Sequence, residues 1–130
     1  RALEGSLELA HQVAERSGGN TMLALASAYL STAHRDLPGK GCALAALGAE
    51  AARHGAPLRG AFTRGVRSMV DMLMRLLPGK SERTKRERAL AIYASMIGAL
   101  VLARAIDDAE LSEDVLKAVL ASIADTASSS

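Results

Sequence analysis

Aromatic side chains are nearly missing from this 130-residue sequence: Tyr29, Phe62 and Tyr93 are all there are, and there is no tryptophan. Sheets draw on aromatic and β-branched residues, so this scarcity, beside 26 alanines and 19 leucines, argues for helices. A single cysteine, Cys42, excludes an internal disulfide framework and most cysteine-based metal sites, and fits a reduced, cytoplasmic setting. No secretory leader pattern is present. Charges interrupt the apolar runs before the roughly 18 residues that span a bilayer, so no membrane segment is expected. An excess of one charge is lacking too. Sixteen basic and 14 acidic residues leave a formal charge of +2, too balanced to announce nucleic acid. The length suits one domain, 1–130, able to bury a core without staples. The chain opens at Arg1 already inside a helical pattern, which reads as a domain taken from something longer.

What is present is helical periodicity with clear punctuation. A first helix is expected over about 2–16, stopping at Ser17-Gly18-Gly19. A second, carrying Met22, Leu25, Ala26, Tyr29 and Leu30, ends near Ala33, before Pro38, Gly39 and Gly41. A third, Cys42 to His54, is built almost wholly of small residues and suits a central position. The fourth, about 58–77, places Phe62, Val66, Met69, Leu73 and Leu76 at the 4-3-4-3 spacing of a buried stripe. Arg64, Arg67, Asp71 and Arg75 form its wet face, with Arg67–Asp71 and Asp71–Arg75 as expected pairs. Pro78-Gly79 ends it. The fifth has charged first turns, Ser81 to Arg88, then an apolar stretch from Ala89 to Ile106. Two stripes run along that stretch, one with Leu90, Tyr93, Ile97, Leu100 and Val101, the other with Ile92, Met96 and Ala103. A helix apolar on two sides must be covered on two sides. Ser112 is expected to cap the last helix, which carries Val115, Leu116, Val119, Leu120 and Ile123. The expected fold is all-α, an orthogonal bundle of about six helices.

Several residues suggest chemistry and each has a plainer reading. His34-Arg35-Asp36 matches the start of a kinase catalytic loop, but position 41 is Gly where that motif needs Asn, and the phosphate loop is missing. A structural corner, in which His34 or Asp36 ties down backbone groups, is the better expectation. Cys42 opens a helix, where the dipole lowers a thiol pKa, yet lone cysteines are most often small buried hydrophobes. His11, His34 and His54 are too scattered for a metal set, so no metal or other cofactor is expected. The basic run from Lys80 to Arg88 contains Glu82 and Glu87 and reads as a solvated helix start. Five methionines, Met22, Met69, Met72, Met74 and Met96, suit either core filling or an adaptable apolar pocket.

The run AYLSTAHRDLPGKGCALAALGAEAARHGAPLRGAFTRGV, followed by MIGALVLARAIDDAELSEDVLKAV, resembles the C-terminal ligand-binding and dimerisation domain of TetR/AcrR-type transcriptional regulators. The resemblance lies in the Tyr-Leu-Ser helix end, His-Arg-Asp, the Gly-Cys entry to an Ala-rich helix, and Gly-Ala-Leu-x-Leu-Ala-Arg-Ala before an acidic turn. It implies a homodimer in which the last two helices, 89–106 and 112–124, pair with their twins in a four-helix bundle. It also implies a pocket for a small apolar effector. The family's N-terminal helix-turn-helix has no counterpart here, so operator DNA is expected to be reached only through a domain that this chain lacks.

The functional expectation is therefore a non-enzymatic, effector-binding regulatory domain, of a repressor by family type. Tyr29, Phe62, Val66, Met69, Leu73 and Met96 are expected to line the pocket. Tyr93, Ile97, Val101, Val115 and Val119 are expected at the dimer contact. The alternatives are a thiol-based redox sensor built on Cys42 and a helical interaction module without a ligand.

Overall fold

The structure, a computed structural model, describes residues 21–36, 53, 55–79 and 81–128. Those residues form five helices and no strand: α1 Thr21–Tyr29, α2 Thr32–Arg35, α3 Ala56–Leu76, α4 Glu82–Ala105 and α5 Ala109–Ser128. The all-α fold is what the composition requires. The helix expected over 2–16 and nearly all of the one expected over 42–54, Cys42 included, lie outside the described residues.

The expected second helix is two pieces. Ser31 takes an extended conformation and interrupts it (φ −84°, ψ 155°), accepting a hydrogen bond from the His34 N–H as the cap of α2. The same hydroxyl donates to the Ala28 carbonyl at 2.8 Å, so one serine closes one helix and opens the next. Gly55 and Pro57 open α3, where a missing N–H costs nothing. After Leu76 the chain turns through Gly79, whose φ of 118° a side chain would disfavour. Ser81 then caps α4 through the Thr84 N–H.

The last helix begins earlier than expected. Asp108 is its cap, its carboxylate accepting from the Glu110 and Leu111 N–H groups at 3.0 and 3.2 Å. Ser112 lies inside the first turn, its hydroxyl donating to the Ala103 carbonyl at 2.7 Å. That carbonyl belongs to the last turn of α4 and is buried, so it needs an outside donor more than the helix start needs a second cap. Removing the cap with Asp108→Ala is expected to cost about 1 kcal/mol, seen as a lower urea midpoint with unchanged slope. An unchanged midpoint would mean that water caps the helix as well as the carboxylate does.

α4 is the spine. It packs against α3 on one side and α5 on another, while α1 bridges α5 and α3, and α2 sits against α4. The core draws Met22, Leu25 and Ala26 from α1, Met69, Val70, Met72 and Leu73 from α3, Leu116 and Ile123 from α5, and seven residues of α4 from Ala89 to Ala103. Burial of each large side chain contributes roughly 1.5–3 kcal/mol. The expected α3 stripe is present but widens at its C-terminal half, where Val70 and Met72 are buried too. Neither Arg67–Asp71 nor Asp71–Arg75 forms an ion pair. The i,i+3 and i,i+4 pairs instead lie in the first turns of α4, Lys85–Glu82 and Arg83–Glu87. By length and composition alone α4 could cross a membrane, although Arg104 interrupts its apolar run as expected. Its inward side is nonetheless covered by α3 and α5, as in a core helix.

Candidate functional site

Two features of α4 stand out, a polar corner at its C-terminal end and an apolar face turned away from the core. The corner begins with His34 on the single turn of α2, buried to 6 % exposure. Its Nδ1 lies 2.7 Å from the Tyr29 carbonyl. A carbonyl only accepts, so Nδ1 carries the proton and the neutral ring's lone pair is on Nε2. The His34 ring leans on the Tyr29 ring, centroids 4.7 Å apart. Burial pushes the His34 pKa below the ordinary histidine value; the bond to Tyr29 opposes this, and the nearby Arg104 guanidinium adds to it.

Arg104 reaches back from the last turn of α4 to close α2. Its Nε donates to the Arg35 carbonyl at 3.1 Å and its Nη2 to the His34 carbonyl at 3.3 Å. Arg35 in turn donates through Nη1 to the Ser112 hydroxyl at 2.9 Å, joining α2 to α5. Its Nε and Nη2 hold both oxygens of Asp36. The Arg35 bonds hold the Asp36 carboxyl below its usual pKa, so it is a poorer base than an ordinary aspartate. These groups, with Ile106, Asp107 and Ala109, line an open cleft of about 540 Å³. The His-Arg-Asp tripeptide thus ties a chain corner to the α4–α5 turn.

The second feature is the outer side of α4. Leu90, Val101 and Leu102 are exposed, the last two at 46 % and 54 %. Ala91, Ala94, Gly98 and Ala105 lie exposed on the same side, Ile97 is half-buried at its edge, and Leu111 at the start of α5 is exposed as well. From Leu90 to Ala105 this arc carries no charge. Charge gathers at its two ends: Glu82, Arg83, Arg86 and Glu87 before it, Asp107, Asp108 and Glu110 after it.

The six residues expected to line a pocket do come together, in one apolar cluster. Met69, Leu73 and Met96 are buried in it, and Tyr29, Phe62 and Val66 pack against it half-buried. All five methionines of the chain belong to or touch this cluster. The five residues expected at a dimer contact do not share one face. Tyr93, 3 % exposed, sits in the chain's own core; Ile97, Val115 and Val119 are half-buried against that core; Val101 points outward. Sequence reasoning missed Arg35, Arg104 and Ser112 as partners. The available signal was Arg104 itself, an isolated charge in the last turn of an apolar helix.

Comparison of the sequence with protein-family models finds no match, and no curated protein matches it.

Proposed function

We propose that this chain is the effector-binding, dimerising regulatory domain of a TetR-type transcriptional regulator. One observation carries the reading: α4 is apolar on two opposite sides, one filled by α3 and α5, the other an uncharged arc including Leu90, Val101 and Leu102. A monomer does not benefit from leaving such an arc in water. A second copy is the occupant that fits best. Two α4 helices packed antiparallel set the start of one, net basic although Arg83 and Lys85 are paired with Glu87 and Glu82, against the acidic end of the other, Asp107, Asp108 and Glu110. Ala91, Ala94 and Gly98 allow close approach, and a side chain at Gly98 would meet no neighbour within 4 Å in the single chain.

The effector in this reading is a small apolar molecule that enters the methionine-rich cluster between α1, α3 and α4 by displacing side chains. Methionine adapts its shape at little cost, which supports that role for Met22, Met69, Met72 and Met96. Binding would favour one helix arrangement and so bias the DNA-binding heads of a longer protein. The tight burial of Met69, Leu73 and Met96 favours the second reading, a helical interaction module without a ligand.

Native mass spectrometry at low micromolar concentration tests both. A species of about 27 kDa, twice the 13.5 kDa chain, is expected, and mass added to it would identify the effector class. A bare dimer that takes up no apolar compound would favour the interaction module. A clean monomer would end the dimer reading.

A further inference from the structure

The polar corner has a property that neither reading uses. We infer that the contact between α2 and the α4–α5 turn is an acid-released clasp, in which protonation of the His34 ring frees α2 from Arg104. The proposal stands on how the ring is enclosed. Nδ1 already carries a proton and gives it to the Tyr29 carbonyl, so an added proton must go to Nε2 and charge a ring that is 6 % exposed. No carboxylate among the described residues bonds that ring.

The groups around it offer little compensation. From α1 comes Tyr29, a phenol. On α2 itself are Arg35 and Asp36, and the Asp36 carboxylate is already gripped by Arg35 through two bonds. From α4 comes Arg104, a permanent cation whose guanidinium is bound to the carbonyl of His34 itself. From α5 come the Ser112 hydroxyl, bound to Arg35, and Glu113, whose charge acts on Arg35. A second cation on the buried His34 ring therefore faces Arg104, and separation of α2 from α4 relieves both burial and repulsion.

The sign follows from the direction of the shift. The clasped ring binds protons more weakly than a free histidine, whose pKa is about 6.5. The clasp is at full strength above that value and weakens as pH falls from it towards the depressed value of the clasped ring. Once the clasped ring itself titrates, no further loss is expected. The test needs neither a second copy nor an effector, so it can fail or succeed independently of the regulatory reading.

Two NMR observables on the full chain, followed from pH 7.5 to 4.5, decide the matter. One is the His34 ring carbon shift. The other is exchange protection of the Arg104 Nε–H, bonded to the Arg35 carbonyl, measured relative to the exposed Arg64 so that intrinsic pH dependence cancels. The expected result is a His34 midpoint below 6.5 and a fall in relative Arg104 protection of up to about tenfold per pH unit across the same window. In His34→Asn, which keeps a side-chain N–H for the Tyr29 carbonyl but cannot titrate there, relative protection should stay flat. A midpoint at or above 6.5, flat protection in the original chain, or the same fall in His34→Asn would each overturn the clasp. Should His34→Asn not fold, Arg104→Gln provides the check: the His34 midpoint must rise when the cation is removed, and an unmoved midpoint would count against the proposal.

Discussion

Replacing Leu73 with alanine is expected to destabilise the chain by about 2–5 kcal/mol, the largest single-residue loss predicted for this fold. Leu73 is 0 % exposed and sits where the stripe of α3 widens between Val70 and Met72, in the cluster shared with α1 and α4. Truncation removes apolar contact and leaves a hole that the surrounding helices fill only in part. Urea unfolding should show a lower midpoint at unchanged slope. The result also bears on the proposed effector site. If Leu73 lines space that already opens to a ligand, the added hole is small in effect and the loss falls below about 1 kcal/mol. A loss in the full range means that the cluster is solid in the free chain and that an effector must displace side chains to enter.

Val101→Glu is expected to leave the single chain within about 0.5 kcal/mol of its original stability and to weaken self-association by at least about 100-fold. Val101 is 46 % exposed, so in one chain a carboxylate there stays in water. In a two-fold pair the change enters twice, and each carboxylate is buried against apolar surface without a partner. Sedimentation equilibrium over a concentration series reads the effect directly. A wild-type dimer whose dissociation constant is unmoved by Val101→Glu would place the interface elsewhere. Because folding and pairing are linked, thermal midpoints must be compared at matched low concentration.

Much of this fold was legible because local chemistry decides it. Composition excluded sheets, Pro78-Gly79 and Ser81 marked the α3–α4 turn, and the 4-3-4-3 spacing of Phe62 to Leu76 picked out the inward side of α3. Where two residues compete for one role, the reading faltered. Asp108 and Ser112 are both good caps, and the buried Ala103 carbonyl, invisible in the sequence, claimed Ser112. Ser31 split a helix that periodicity had joined, because its hydroxyl satisfies backbone groups on both sides of the break.

By itself, then, the sequence determined an all-α chain, the place of its long helices and the double-sided apolar character of α4. Helical periodicity repeats every 3.6 residues whichever side is inward, so it marks two apolar stripes without ranking them. Only the packing of α3 and α5 turned Tyr93 into the core and left Val101 in water. The bonding of His34 to Arg104 was likewise a tertiary decision. Seventy positions separate them in the chain, and only the return of α4 to the corner brings a guanidinium to the carbonyl that closes α2.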